Sequence, residues 1–163
     1  MDMSEDQQPS GDEAGQDGEG GIQLNITHQY TKDLSFENPG APGLFINAQT
    51  EPPNIDIDVS VEAQTLGPNT YEVALHVRVN ATAGSTTLFI AEIAYAAIAE
   101  IGEIAEEHLH AFIVIEVPRM IFPYARSILS GMISEGGFPP LLIAPVDFVE
   151  MYRQTAEKAS ETT

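Results

Sequence analysis

Apolar and polar residues alternate in the first half of the chain. The alternating stretches are residues 22–30, 55–62, 71–79 and 86–95. Because successive side chains of a strand point to opposite faces, each stretch predicts a half-buried β-strand. The residues expected to share the apolar face of the first strand are Ile22, Leu24, Ile26, His28 and Tyr30. Short connections such as GPN at 67–69 and AGS at 83–85 predict an antiparallel meander of these strands.

Apolar residues take helical spacing in the stretch VPRMIFPYARSILSGMISEGGFPPLLIAPVDF, residues 117–148. Pro118 lies where a helix can begin, since its missing N–H is not needed in the first turn. Gly136 and Gly137 end this helix, because glycine readily takes the left-handed conformation of a helix C-terminus. Two adjacent apolar rows follow the helix: Ile121, Tyr124, Ile128 and Met132, and Phe122, Ala125, Leu129 and Ile133. So wide an apolar sector must be covered on both sides, and the second cover is most simply another subunit.

Two further helices complete the C-terminal half. Residues 104–115 predict a helix that leads into the one beginning at Pro118, and Pro145 begins a last helix that ends near Thr155. The small, apolar segment 96–103 fits either an extension of the fourth strand or a loop. Strands followed by helices predict an α+β fold, a four-stranded antiparallel sheet with the C-terminal helices on one face.

Charge narrows the range of functions. The 163 residues include 25 Asp and Glu but only 6 Lys and Arg, a formal net charge of −19. Nucleic acid and anionic lipid both require a basic face, so we expect neither as a partner, whereas basic or unfolded cationic segments are favoured. The sequence has no cysteine, no apolar run of about 20 residues and no signal peptide at its start, which predicts a cytoplasmic protein without membrane insertion.

The two ends of the chain differ in composition from its middle. Residues 1–21 are acidic and rich in glycine, without an aromatic or basic side chain, and they predict a disordered N-terminal tail. Residues 22–156 contain all the periodic segments and form the one folded domain. The polar residues 157–163 predict a flexible C-terminal tail.

No catalytic or metal-binding arrangement is evident in the sequence. His108 and His110 lie two positions apart on a predicted helix, where side chains point about 200° away from each other and do not suit one metal ion. Ser127 lacks the Gly-x-Ser-x-Gly turn of a nucleophile, and the glycines of 18–21 lack the lysine of a phosphate loop. We therefore predict a binding protein without enzymatic activity and without a cofactor.

Three blocks of the sequence resemble the SecB family of bacterial export chaperones. The blocks are YTKDLSFENPGAP at 30–42, FPYAR at 122–126 and GGFPPLLIAPVDF at 136–148. Their order and approximate spacing match those of the family, and the similarity extends from about Gln23 to Tyr152. Residues 22–156 are therefore identified as a SecB-like chaperone domain.

The resemblance implies an ATP-independent holding chaperone. Such a protein binds unfolded preproteins in hydrophobic grooves, keeps them competent for translocation and delivers them to the SecA ATPase for Sec-dependent export. The family forms a homotetramer, a dimer of dimers, in which helices pack between two eight-stranded sheets. The wide apolar sector of the helix beginning at Pro118 fits that arrangement. The residues expected to support assembly are Ile93, Tyr95, Ile121, Tyr124 and Ile128.

An acidic surface beside an exposed aliphatic residue is expected on the sheet. Alternation places Leu88, Ile90 and Glu92 on one face of the fourth strand, which combines apolar contact with charge. In the SecB family the matching positions contact the zinc-bearing C-terminal tail of SecA. The resemblance gives this role to Asp33, Glu37, Ile90 and Glu92, and the zinc would belong to the partner.

The client site is expected in a groove between the sheet and the helices, where the resemblance implies hydrophobic peptide binding. The candidate residues are Phe45, Ile55, Ile57, Ile98, Phe138, Leu141 and Leu142. Many family members carry a tryptophan in the crossover after the first strand, whereas this chain has Gln49, Thr50 and Glu51 there. The aromatic part of the groove is therefore expected to be shallower, or to be supplied by Phe45.

Two other functions stay open at this point. One is a SecB-like chaperone dedicated to a toxin–antitoxin pair or another single partner, and the other is a small-molecule carrier whose groove is closed into a pocket. The acidic residues Asp33, Glu37 and Glu92 favour coupling to SecA over a dedicated partner. A carrier would bind a discrete ligand and would not bind unfolded proteins.

Overall fold

The computed structural model describes residues 20–47 and 51–161. Its elements are β1 (Leu24–Glu37), α1 (Gly43–Ile46), β2 (Asn54–Gly67), β3 (Thr70–Ala83), β4 (Thr86–Ile101), α2 (Glu106–Glu135) and α3 (Phe148–Glu161). This order confirms the predicted α+β class. Most of the acidic tail predicted to be disordered, residues 1–19, lies outside the described residues, as do Gln49 and Thr50 of the crossover.

The sheet has four antiparallel strands in the order β1-β4-β3-β2. Strands β2, β3 and β4 form the predicted meander, but β1 pairs with β4, so the prediction of a four-strand meander is wrong for the first strand. A tight turn would force β1 and β2 to be neighbours, whereas the long connection between Glu37 and Asn54 lets the chain cross to the other edge. Strands β1 and β2 are therefore the two edges of the sheet.

Strand β1 changes face along its length. Leu24 and Ile26 pair with Ile101 and Ala99 on the face that the helices cover, but the register shifts after Ile26. His28 consequently pairs with Ile98, on the opposite face. A bulge inserts one residue, and because the side-chain period is two, the residues that follow move to the other side. A second register shift after Thr31 returns Leu34 and Phe36 to the face that the helices cover. The prediction that His28 and Tyr30 share a face with Leu24 is therefore wrong.

Helix α2 is one continuous helix of 30 residues that contains Pro118 and Pro123. The prediction that a new helix begins at Pro118 is wrong. An internal proline costs about 3 kcal/mol, but Val117 and Ile121 on either side of Pro118 are fully buried against the sheet. Packing of this kind contributes more to helix stability than intrinsic preference, and it carries the helix through the proline.

The remaining boundaries differ from the predictions by a few residues. Strand β4 continues to Ile101, so most of the ambiguous segment 96–103 is strand. Helix α3 begins at Phe148 rather than Pro145, because the Asp147 carboxylate accepts a bond from the Glu150 N–H at 3.0 Å and caps the helix. It is helical as far as Glu161, past the predicted end near Thr155, and the flexibility of 157–163 stays a prediction.

The core lies between one face of the sheet and helix α2. Alternate residues of β3 and β4 point toward the helix and are almost fully buried, as their alternation predicts: Val73, Leu75, Val77, Val79, Ala91, Ile93, Ala97 and Ala99. The helix contributes Ile113, Val117, Ile121, Phe122, Ala125, Leu129 and Ile133. We call this side of the sheet the inner face and the opposite side the outer face.

Candidate functional site

Four phenylalanines from four separate segments meet at one end of the core. Phe138, which follows α2, lies at the centre, with its ring centroid 4.8 Å from that of Phe89 and 5.6 Å from that of Phe45. Phe36 at the end of β1 completes the cluster, 6.3 Å from Phe138 and 5.8 Å from Phe89. Rings at these separations attract one another beyond the area they bury. The cluster holds the crossover against the end of the sheet.

A groove of about 420 Å³ opens beside this cluster, and we call it the aromatic groove. Its lining residues are Leu44, Phe45, Pro53, Ile55, Leu88, Phe89, Gly137, Phe138, Pro139, Pro140 and Leu141. None of these side chains is charged, although the chain as a whole is strongly acidic. An open apolar surface of this kind indicates a binding site.

The end of helix α2 fixes the position of Phe138. The Phe138 N–H donates to the Ile133 carbonyl at 3.2 Å and the Gly137 N–H to the Ser134 carbonyl at 3.1 Å. These two bonds form a Schellman motif, which requires a left-handed residue, and Gly137 has a φ of +91°. A Cβ on Gly137 would also lie 2.9 Å from the Phe45 ring. The glycine pair that ends the helix therefore also shapes the aromatic groove.

The structure brings together four of the seven predicted client residues. Phe45, Ile55, Phe138 and Leu141 line the aromatic groove. Ile57 and Leu142 are exposed, the latter at 83%, but do not line it. The prediction needs correction for Ile98, which pairs with His28 and Glu72 on the outer face, because even-numbered residues in this part of β4 point away from the helices.

Sequence analysis missed Leu88 and Phe89 as groove residues. Phe89 pairs with Ala81 and Thr87 with Thr82, so the register shift leaves Leu88 as an extra residue in β4. Leu88 is therefore buried at the aromatic groove, and its predicted place on the face of Ile90 and Glu92 is wrong. Bulges carry no clear sequence signal here, so alternation alone could not have found this residue.

A second groove, of about 450 Å³, lies between edge strand β2 and helix α3, and we call it the α3 groove. Its lining residues are Val59, Ser60, Val61, Ala63, His110, Val114, Met151, Tyr152, Thr155, Ala156 and Ala159. The helical spacing of the small and apolar residues on α3 was the signal that could have revealed it. Strand β2 therefore borders an apolar groove along much of its inner face.

The four residues predicted to contact SecA share the outer face of the sheet. Glu37 pairs with Ile90, and Asp33 pairs with Ala94 four positions further along β4. Glu92 lies between them on the same face, opposite Ser35. The register therefore places three carboxylates and one aliphatic side chain on two neighbouring strands, and we call this surface the acidic face.

Two basic residues also reach the outer face. Arg78 of β3 donates to the Glu92 carboxylate. Lys32 donates to Glu72 at 2.5 Å, and this bond holds the pKa of Glu72 below its usual range. Burial, with a hydrogen bond to the same carboxylate, raises the pKa of Tyr30. Sequence analysis had assigned no role to these basic residues.

The predicted assembly residues fall into two groups. Tyr124 is 52% exposed on α2 and Ile128 is half-buried, so both have side-chain surface available to a second subunit. Ile121 and Ile93 are buried within the core of the subunit, with exposures of 0% and 2%, and cannot contact a second subunit directly. Tyr95 is also buried, and its ring stacks on that of Tyr124 with centroids 6.3 Å apart.

Residues 20–47 and 51–161 form neither a metal-binding cluster nor a membrane-spanning helix. This part of the chain contains no group of three or more His, Cys, Asp or Glu side chains that could hold a metal ion. His108 lies 3.4 Å from Glu107, whereas the His110 ring packs against Tyr152, so the two histidines have different neighbours. None of the helices formed by these residues is long and apolar enough to cross a membrane.

Comparison with known proteins relates this architecture to one family. Residues 17–159 match the family model described as preprotein translocase subunit SecB. The protein-export protein SecB of Rhodopseudomonas palustris (strain BisB5) is 49% identical over 139 residues, which cover 85% of this chain and 87% of that protein. Its counterpart in Paramagnetospirillum magneticum (strain ATCC 700264 / AMB-1) is 48% identical over 134 residues, covering 82% and 86%.

A solved structure supports the same fold. The SecB-like chaperone of Mycobacterium tuberculosis, in complex with a peptide from an antitoxin, superposes with a TM-score of 0.58 at 17% identity. The match covers 76% of this chain and 90% of that one, and at this identity it bears on the fold alone. The family model and the close relatives both span most of the sequence, and the chain therefore belongs to the SecB family of protein-export chaperones.

Proposed function

We propose that this protein is an ATP-independent holding chaperone of the cytosol that binds unfolded preproteins in its apolar grooves. The observation that carries the proposal is the aromatic groove, where Phe45 stays 52% exposed beside the partly buried Phe138. Burying a phenylalanine or leucine of a client contributes about 1.5–3 kcal/mol. Such a surface selects unfolded chains, because folded proteins keep these side chains inside.

Strand β2 supports binding of extended backbone. It is an edge strand of 14 residues, so one side of its backbone faces no other strand of the described sheet. An extended peptide can add to such an edge. Every second side chain of the peptide can then enter the aromatic groove or the α3 groove, both of which border the inner face of β2. Main-chain hydrogen bonds and apolar contacts do not depend on one sequence, which suits a chaperone with many clients.

We further propose that the acidic face binds the zinc-bearing tail of SecA. Asp33, Glu37 and Glu92 share the outer face with Ile90, and such a surface complements a small basic module. The acidic face and the aromatic groove lie on opposite sides of the sheet, so one subunit can hold a client and contact SecA together. Delivery then needs no hydrolysis by this chain.

The assembly proposed is a homotetramer, a dimer of dimers, in which α2 packs between sheets. Met120, Tyr124 and Leu34 of β1 are each 43–52% exposed, which leaves apolar surface on the helix and on the adjacent strand. Several grooves in one particle would raise the affinity for a long client through effective concentration. In an isolated subunit, exposing this apolar surface of α2 and β1 to water would be unfavourable.

The assembly can be tested with Tyr124→Asp. A charge at this exposed position should reduce the particle mass from tetramer to dimer or monomer, since the interface would bury an unpaired carboxylate. Sedimentation measures the mass, and circular dichroism checks the fold. Ile121→Asp is the contrasting variant, because it should unfold the subunit itself. A folded Tyr124→Asp protein that keeps the mass of the wild-type tetramer would refute the packing of α2 between subunits.

The holding function can be tested by refolding. A denatured, slow-folding preprotein is diluted with and without stoichiometric amounts of this protein, in the absence of nucleotide. We expect refolding to stop, and the arrest to be relieved when SecA and ATP are supplied. Free refolding at every ratio would contradict the proposal and favour a carrier or a single dedicated partner.

A further inference from the structure

Arg78 introduces a positive charge into the acidic face. It lies near the middle of β3, in register with Asp58 of β2 on one side and Glu92 of β4 on the other. Its guanidinium pairs with Glu92, and the two side chains are 54% and 39% exposed. Arg78 and Glu92, together with Asp33 and Asp58, border a hollow of about 80 Å³ on the outer face. Three carboxylates and one guanidinium therefore line this hollow.

We propose that Arg78 limits the affinity of the acidic face for its basic partner, because its guanidinium competes with that partner for Glu92. The inference rests on the proposed function of this face, since it concerns the binding of SecA. An exposed ion pair is weak, so a partner cation can displace Arg78 from the carboxylate. The displaced guanidinium nevertheless stays on the same strand, close to the incoming positive charge.

The expected size of the effect follows from Coulomb's law. Two unit charges about 4 Å apart in water repel each other enough to weaken association roughly fivefold. Salt reduces this repulsion, because the screening length is about 10 Å at 0.1 M and about 3 Å at 1 M. Arg78 should therefore lower the affinity for SecA at low salt and make little difference at high salt.

The competing role for Arg78 would be to orient Glu92. A guanidinium that holds a carboxylate in one rotamer pre-organises it for a partner, and its removal would then weaken binding. The partial exposure of both side chains argues for competition, since a partner cation can reach the carboxylate from solvent. The two roles predict opposite changes in affinity, so one experiment separates them.

The test compares purified SecA binding to three variants of the full chain by calorimetry, at 50 mM and 500 mM NaCl. Arg78→Gln removes the charge and should bind about fivefold more tightly than wild type at the lower salt, with a difference under about twofold at the higher one. Arg78→Lys keeps the charge and should bind like wild type. Arg153→Gln removes an equal charge from α3, where Arg153 pairs with Glu150, and should change affinity less than about twofold.

The outcomes separate the inference from the function on which it rests. Unchanged or weaker binding by Arg78→Gln, with wild type binding normally, overturns the role of Arg78 alone. An equal gain from Arg153→Gln also overturns it, because the effect would then come from net charge. Absence of binding by wild type and all variants would contradict SecA as the partner, and the role of Arg78 with it.

Discussion

The two candidate binding surfaces of this protein lie on opposite sides of one sheet and use different physics. The aromatic groove has an uncharged lining built around Phe138, whereas the acidic face has carboxylates on neighbouring strands with Arg78 among them. Apolar burial scales with area and survives high salt, while attraction between exposed charges is screened. If each surface has its proposed role, a change to one surface should weaken its own partner's binding and leave binding at the other surface unchanged.

The largest expected effect comes from Gly137→Val, which should disrupt the aromatic groove. A β-branched residue is strained at a φ of +91°, and its Cβ would meet the Phe45 ring. We expect at least a tenfold loss of affinity for an unfolded client and a lower melting temperature, with SecA binding retained.

Client affinity is measured by fluorescence anisotropy with a labelled unfolded preprotein. Gly67→Ala is the matched control, because a Cβ there meets nothing within 4 Å and Gly67 does not have a positive φ. A Gly137→Val protein with normal client affinity would show that the Schellman motif does not shape the client site.

A smaller effect on the same surface is expected from Phe45→Ala. The ring is half exposed in the aromatic groove, so its removal should cost little stability but weaken client binding about tenfold, the equivalent of about 1.4 kcal/mol. Ile46→Ala is the adjacent control, since Ile46 is 79% exposed and does not line the groove. Equal losses in the two variants would indicate that surface hydrophobicity, rather than this groove, binds clients.

The acidic face is tested by the double variant Asp33→Asn with Glu37→Gln. Losing two carboxylates should weaken SecA binding several-fold at low salt, by less at high salt, and leave client affinity unchanged. A control with the same change in net charge is Glu157→Gln with Glu161→Gln on helix α3. Calorimetry with SecA measures the first effect. If the control weakens binding equally, the acidic face has no specific role.

The smallest effect concerns stability, through Lys32 and Glu72 on the outer face. Because the folded-state pKa of Glu72 is below its ordinary value of 4.5, this carboxylate stabilises the fold above that pH. The contribution is lost as the pH falls through the folded-state value. Glu72→Gln should therefore lower the melting temperature slightly near pH 7, and by less at an acidic pH below the folded-state pKa of Glu72. An equal decrease at both pH values would exclude the ionic contribution.

The inner face of the sheet could be predicted well from sequence. The alternation in β3 and β4 identifies Val73, Leu75 and Val77 as core residues, and they are fully or almost fully buried. The end of helix α2 at Gly136 and Gly137 could be predicted equally well, because the left-handed conformation that ends many helices strongly favours glycine. These features depend on local chemistry, which the sequence carries directly.

The errors arose where tertiary packing overrides local pattern. The register shifts in β1 and β4 move His28 and Leu88 to unexpected faces, because one extra residue reverses the alternation as far as the next shift. Packing against the sheet also carries α2 through Pro118, where local preference alone ends a helix. The pairing of Arg78 with Glu92 depends on strand register, so neither residue alone could reveal it.

The most direct test of the account is client arrest by wild type, by Phe45→Ala and by the Asp33→Asn, Glu37→Gln variant. Refolding of a denatured preprotein is followed without SecA or nucleotide, over a range of chaperone ratios. We expect the acidic-face variant to arrest refolding as wild type does, and Phe45→Ala to need about tenfold more protein. Normal arrest by Phe45→Ala with lost arrest in the acidic-face variant would contradict the separation of the two surfaces.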